Sequence, residues 1–259
     1  MSRLWSISVR AENEKLLARL LALGLCSFAL ATSQLASADE LKPFEASYAW
    51  IWHGMNVAVS RLKLEQTAHA PDAGAGDTWL YSSHSEPRGI GRVFAERPTQ
   101  QSTMRVSDKG VQPLHYKADD GTSSSKRDSD LQFDWEHNRV TGVYEDAKVD
   151  MPLQPGTQDD LSVQVALIVE LLAGRMPSQF LLVDQNSVRE YQYTREGEES
   201  LSTPLGKVDT IIYRSQKKGS PRVTRFWCAP QQGYIPVRVE QKKGDEVQWA
   251  MQLESVKRE

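Results

Sequence analysis

The sequence of 259 residues contains only two cysteines, Cys26 and Cys228. It has no paired cysteines, no G-x-S-x-G, no H-E-x-x-H and no phosphate-binding glycine loop. Gly89-Ile90-Gly91 lacks a third glycine and predicts a loop. These absences exclude the common sequence signatures of zinc proteases, α/β-hydrolases and nucleotide hydrolases. We therefore predict no catalytic residue, no metal and no cofactor.

The chain also lacks an apolar run long enough to cross a bilayer, which takes about 20 residues. Its longest run, Leu20 to Ala31, follows a net positive segment and precedes Ala36-Ser37-Ala38. A basic segment, a short apolar core and small residues before the cleavage position are typical of secretory signals. We expect a signal peptide over residues 1–38, cleaved between Ala38 and Asp39, and no transmembrane anchor.

The cysteines narrow the predicted location. Cys26 follows Leu25, whereas a lipidated cysteine needs a small residue before it, so we expect no lipid anchor. Cleavage leaves Cys228 without a partner in an oxidising compartment, so no internal disulfide can form. Cys228 lies beside aromatic residues and is predicted to be a small buried hydrophobe. The expected location is the periplasm.

The remaining residues, 39–259, have the length and composition of one folded domain. They carry 27 Lys and Arg against 32 Asp and Glu, a formal charge of −5. A mixed, mildly acidic surface argues against nucleic acid as the partner.

Alternation of apolar and polar residues dominates this region. Phe44 to Trp52 alternates towards a turn at His53-Gly54, and a second alternating run starts at Val57, which predicts a hairpin. Similar runs recur to the end of the chain. We predict a mainly β fold of about ten strands, a strongly curved antiparallel sheet or incomplete barrel.

One segment has helical spacing instead. After Pro155-Gly156, apolar residues follow Asp159-Asp160 on two faces of one helix, which Gly174 ends. Thr157 or Asp159 is expected to cap it, with acids complementing its dipole. A helix that is apolar nearly all round is buried on both sides. We expect it to pack on the concave face of the sheet.

Two groups of residues suggest a binding site. Trp50 and Trp52 stand beside a turn and can line the mouth of an apolar cavity, as can Trp227 further along the chain. Arg88 and Arg92 flank glycines and apolar residues in a loop suited to an anionic group. Ordinary core packing and a solvated loop are the alternative explanations of these residues.

A catalytic alternative rests on Asp159, Asp160 and Ser162, or on a histidine. Paired carboxylates can perform acid–base chemistry, but helix capping is the preferred explanation, because it accounts for both aspartates without further help. The five histidines are scattered, without metal-binding spacing: His53, His69, His84, His115 and His137.

Three stretches together carry a family resemblance. They are Tyr48 to Met55, Gln158 to Ser162, and Phe226 to Pro230 with the following Tyr234 to Val239. Their order and spacing resemble the exported bacterial family known as domain of unknown function 3108, over about residues 44–256. The resemblance implies a periplasmic location and brings no catalytic residues with it.

The sequence therefore predicts a non-catalytic binding or carrier protein for an apolar ligand or an envelope partner. Two alternatives stay open: an envelope hydrolase or transferase, and an adaptor that acts through a sheet edge.

Overall fold

The computed structural model describes residues 40–70, 76–93 and 96–258. The predicted signal peptide, its cleavage position between Ala38 and Asp39, and Cys26 lie outside the described residues. Within these ranges, no helix has the length and hydrophobicity to cross a membrane.

Fifteen strands form a single sheet in the described residues, in the order β8-β7-β6-β5-β4-β3-β2-β1-β15-β14-β13-β12-β11-β10-β9. All neighbouring strands are antiparallel except β9 and β10, which are parallel. The strands are Phe44–Trp52 (β1), Met55–Ala68 (β2), Asp77–Pro87 (β3), Thr99–Ser107 (β4), Gly110–Asp119 (β5), Ser129–Asp134 (β6), Arg139–Tyr144 (β7), Ala147–Pro152 (β8), Thr157–Gln158 (β9), Gln179–Val183 (β10), Val188–Thr203 (β11), Gly206–Lys217 (β12), Arg222–Ala229 (β13), Ile235–Lys243 (β14) and Glu246–Arg258 (β15).

The prediction of a mainly β fold with an unclosed sheet is confirmed, but the predicted count of about ten strands is wrong. The sequence pattern missed β8, β9 and β10. β9 and β10 have two and five residues, so alternation there is too brief to register, whereas β8 has six residues, as many as β6 and β7, and does alternate in burial. These strands form because their neighbours offer backbone partners.

One α-helix, Ser162–Leu172 (α1), lies between β9 and β10. Short 3-10 helices occupy Gly89–Val93, Ser125–Arg127 and Pro230–Gln232. Residues Val165, Ala166 and Ile168 of α1 belong to an apolar cluster with residues of β1 to β8 and β13 to β15. On its other side, Val163, Leu167 and Leu171 cluster with residues of β10 to β13. Both faces of α1 are therefore buried, as its all-round hydrophobicity predicts.

The opening hairpin shows how local sequence sets the register. His53 and Gly54 both have positive φ, 47° and 76°, in a two-residue loop between β1 and β2. Turns of this kind match the twist of the flanking strands, and glycine adopts such a φ without strain. The loop places Trp52 and Met55 opposite each other at the hairpin tip.

The sheet is curved. Tyr81 of β3 and Tyr193 of β11 line the same cavity. Seven strand spacings separate β3 from β11, which would span about 34 Å in a flat sheet. Because both side chains reach one small cavity, the sheet must bend its two halves towards each other.

Side chains, rather than a strand ladder, link the two halves near the sheet edges. The backbone N–H of Asp150 in edge strand β8 donates to Oδ1 of Asn186, in the turn after β10, at 3.1 Å. Gln158 of edge strand β9 donates from Nε2 to the carbonyl of Val111 in β5 at 2.8 Å. The segment from β9 to α1 thus sits where the two halves meet.

Candidate functional site

The interior contains a cavity of about 50 Å³ between α1 and the sheet. Four residues of α1 line it, Val163, Gln164, Leu167 and Ile168. The sheet contributes mainly aromatic and aliphatic side chains: Phe44, Tyr48, Leu62, Tyr81, Tyr193, Phe226, Tyr234, Ile235, Pro236, Val239 and Met251. Pockets that bind drug-sized ligands have volumes of roughly 300–1,000 Å³. The space that the helix leaves is therefore much smaller than a pocket for a drug-sized ligand.

The start of α1 is built around Asp159, which is only 1% exposed. Its Oδ1 accepts the backbone N–H groups of Leu161 and Ser162 at 2.9 and 2.8 Å, and its Oδ2 accepts the Ser102 hydroxyl at 2.7 Å. In return, the Asp159 N–H donates to Ser162 Oγ at 2.9 Å. This reciprocal arrangement satisfies amides that every helix start leaves unpaired. Burial raises the pKa of Asp159 despite these hydrogen bonds.

Asp160, the next residue, lies beside two tyrosine hydroxyl groups. Its Oδ2 accepts the Tyr144 hydroxyl at 2.9 Å, and the Tyr116 hydroxyl lies at 3.5 Å. Burial raises the pKa of Asp160 to about 6, and the negative charges of Asp159 and Glu145 add to this effect. A carboxyl group with this pKa exchanges its proton near neutral pH. The same burial, together with Asp160, raises the pKa of both phenols.

Two polar side chains just before Asp159 are buried without a complete set of partners. The hydroxyl of Thr157 makes no hydrogen bond among the described residues, and Oε1 of Gln158 accepts none. Their side chains belong to residues that are 0% and 2% exposed. An unpaired buried polar group costs about 1–3 kcal/mol. The chain leading into α1 is therefore held in the interior at an energetic cost.

Cys228 of β13 lies against the opposite face of α1. It is fully buried in the cluster that contains Val163, Leu167 and Leu171. Burial raises the pKa of its thiol, which keeps the thiol protonated and unreactive. The prediction of a small buried hydrophobe is confirmed.

The tryptophans predicted to line a cavity mouth occupy different places. Trp50 donates from Nε1 to Ser60 Oγ and packs against Trp249, with ring centroids 5.0 Å apart. Trp52 is exposed at the hairpin tip. Trp227 donates to Glu199 Oε2 at 2.7 Å and lies beneath the guanidinium of Arg238. None of the three lines the cavity beside α1.

The two predicted arginines lie in the segment that follows β3. Arg88 and Arg92 are both exposed, and Arg88 approaches Glu254 at 3.4 Å. The 3-10 helix Gly89–Val93 contacts the first residues of β2, since the Arg88 N–H donates to the Val57 carbonyl at 2.8 Å. The structure thus brings Arg88 and Arg92 close to the hairpin tip of Trp52 and leaves Trp227 apart.

The catalytic alternative has little geometric support in the described residues. Ser162 Oγ is committed to the helix start, beside no histidine. His53 packs against Trp52. The other four histidines pair with acidic residues: His69 with Asp77, His84 with Glu86, His115 with Asp130, and His137 with Asp134. No nucleophile, base and orienting group come together there.

Sequence reasoning missed the partners of the aspartates, Ser102, Tyr116 and Tyr144. These residues sit on β4, β5 and β7, whose alternation shows only that some of them face inward. The one sequence signal for these partners was the presence of inward-facing hydroxyl groups on neighbouring strands. Their common target became visible only with the strand order.

The family model for the Protein of unknown function family DUF3108 matches residues 44–245. The chain belongs to this family. The match covers the strands from β1 to β14 and includes α1, so the predicted resemblance is confirmed. A comparison of the DUF3108 chain with curated proteins gave no match.

Three solved structures are similar to the DUF3108 chain at low identity. A β-barrel-like protein of domain of unknown function DUF1849 from Brucella abortus has 15% identity and a TM-score of 0.49, covering 85% of this chain and 99% of its own. A candidate lipoprotein from Parabacteroides distasonis has 10% identity and a TM-score of 0.37, covering 84% and 96%. A candidate exported protein with a YmcC-like fold from Bacteroides fragilis has 14% identity and a TM-score of 0.35, covering 84% and 97%. At these sequence identities and TM-scores, the similar structures do not indicate a function for this chain.

Proposed function

We propose that this protein is a periplasmic, non-catalytic carrier whose interior receives an apolar chain when α1 moves away from the sheet. The signal peptide predicted for residues 1–38 takes it there. In this proposal α1 lies on the concave face of the curved sheet and occupies the space that the ligand takes.

One contrast carries the proposal. The surroundings of the helix itself are apolar, whereas the segment at its start buries polar groups. Around the helix itself, the lining of the cavity is almost wholly apolar and aromatic. At its start, Thr157, Gln158, Asp159 and Asp160 bury polar or charged atoms. At Thr157 and Gln158, where a buried polar atom has no partner among the described residues, a segment serving only as permanent core would gain from apolar side chains.

The energies favour a helix that is bound but releasable. The unpaired atoms of Thr157 and Gln158 together cost about 2–6 kcal/mol. The raised pKa of Asp160 adds up to about 3 kcal/mol at neutral pH. Against this, each large apolar side chain buried by α1 stabilises the closed form by about 1.5–3 kcal/mol. Opening α1 therefore costs less than its buried apolar area alone suggests.

Ligand size supports movement of α1. A cavity of about 50 Å³ holds only a small part of an acyl chain, so binding requires new volume. Displacing α1 would expose the apolar cavity lining that both halves of the sheet contribute. The ligand would then replace the apolar contacts that the helix gives up.

Binding of palmitate to the purified, solvent-extracted protein tests the proposal. Native mass spectrometry should show one bound palmitate per chain. Met251→Phe, which fills the cavity from the sheet side, should weaken binding at least about tenfold. Leu205→Phe, in the exposed turn between β11 and β12, is the matched control and should bind normally. No binding to the unaltered protein, or equal binding by both variants, would contradict the proposal.

A further inference from the structure

Exposed apolar side chains gather around the β1–β2 hairpin tip. Trp52 and Met55 at the tip are 45% and 43% exposed, and Ile90 and Val93 in the 3-10 helix after β3 are 53% and 84% exposed. Most large apolar side chains of the described residues are more protected than these. We call Trp52, Met55, Ile90 and Val93 the apolar tip.

The backbone holds the two parts of the apolar tip together. A Cβ added to Gly91 would lie 2.0 Å from the carbonyl oxygen of Val57, so the 3-10 helix lies directly on the start of β2. Gly89 also lies beside β2, at an ordinary contact distance, since its added Cβ would be 3.6 Å from the Asn56 carbonyl oxygen. The close approach at Gly91 explains why position 91 has no side chain. It also places the 3-10 helix beside the hairpin tip.

Positive charge accompanies the apolar tip. Arg88 and Arg92 lie within or beside the 3-10 helix, and Arg97 follows it; all three are exposed. The nearest acidic partner of Arg88 is Glu254, and its 3.4 Å separation is long for a charged hydrogen bond. The tip thus combines protruding apolar groups, one of them an indole, with exposed guanidinium groups.

We propose that the apolar tip docks the protein on an anionic phospholipid bilayer. Tryptophan prefers the membrane–water interface, and apolar side chains flanked by arginines bind anionic lipid surfaces by insertion and charge attraction. A protein partner of opposite charge would also fit the arginines. Trp52 protrudes from the hairpin tip and Val93 from the adjoining 3-10 helix. This arrangement favours shallow insertion among lipid headgroups. The docking does not depend on the interior ligand.

Vesicle co-sedimentation tests the docking. The protein should bind vesicles that contain phosphatidylglycerol mixed with phosphatidylcholine. It should bind vesicles of phosphatidylcholine alone much more weakly. The double variant Arg88→Gln/Arg92→Gln should weaken binding about 25-fold, because each basic residue near an anionic surface contributes about fivefold. Arg139→Gln/Arg195→Gln removes the same charge from other exposed positions and should leave binding unchanged.

A second pair of variants tests insertion separately from charge. Ile90→Ser/Val93→Ser should reduce vesicle binding at least about tenfold, while Leu205→Ser, at an exposed turn elsewhere, should not. Circular dichroism confirms that each variant is folded. Absence of vesicle binding by the unaltered protein overturns the proposal. Equal losses in the tip and control variants overturn it as well, and so does capture of a protein partner by the tip without any affinity for vesicles.

Discussion

Replacing Asp160 with asparagine should stabilise the protein at neutral pH. The folded-state pKa of Asp160 is raised from 3.8 to about 6, so the folded protein holds this proton more tightly than the unfolded chain does. Its contribution to stability is therefore largest below the unfolded pKa and is lost as pH rises towards about 6. Two pKa units correspond to at most about 3 kcal/mol, and partial exposure of the residue reduces this to about 1–3 kcal/mol.

Asparagine keeps the shape of the side chain and an oxygen that can accept the Tyr144 hydroxyl, but it carries no charge. Urea unfolding followed by tryptophan fluorescence should show Asp160→Asn more stable than the unaltered protein by about 1–3 kcal/mol near about pH 8. The gain should shrink by about 1–2 kcal/mol on going to about pH 4.5. Asp245→Asn, in an exposed turn, is the control. A loss of stability at about pH 8, or a gain that does not change with pH, would refute the reasoning.

Two further predictions rest on buried side chains, and a third rests on the N-terminal sequence. Thr157→Val replaces an unpaired buried hydroxyl with a methyl group of similar shape, so the free energy of unfolding should rise by about 1 kcal/mol; a decrease would show that the hydroxyl has a partner. Cys228 should react with a thiol reagent at least about 100-fold more slowly than in the unfolded chain, and Leu167→Ala should accelerate labelling by weakening α1; rapid labelling of the unaltered protein would contradict its burial. The protein exported by a Gram-negative host should begin at Asp39 on N-terminal sequencing, and an intact N-terminus in the periplasm would contradict the predicted signal peptide.

Local patterns predicted much of the fold. The β1–β2 hairpin followed from alternation and from the His53-Gly54 turn, and α1 followed from its helical spacing after Asp159. Both features depend on neighbours in sequence, which a single chain reveals directly. The strands β8 to β10 were not predicted, although β8 forms a hairpin with β7 and β10 forms one with β11. Only the two-residue β9 pairs outside a hairpin, in parallel with β10 on the far side of α1.

The candidate site was less predictable for a related reason. Asp159 and Asp160 could be recognised as residues of a helix start, but their partners Ser102, Tyr116 and Tyr144 come from three separate strands. Only the curvature of the sheet brings these hydroxyl groups to the aspartates. Arg88 and Trp52 are also distant in sequence, and the contact between the 3-10 helix and β2 places their segments together.

The central claim is that α1 must move to admit a ligand, and a cross-link to Cys228 tests it most directly. Leu171 belongs to the same apolar cluster as Cys228 but does not line the cavity, so Leu171→Cys introduces a second thiol into that cluster without altering the lining. A disulfide between the two thiols would tie α1 to β13. Loss of two hydrogens in the intact mass reports bond formation. We expect the reduced variant to bind palmitate and the oxidised variant to lose binding at least about tenfold. Equal palmitate binding by the two forms would contradict the claim.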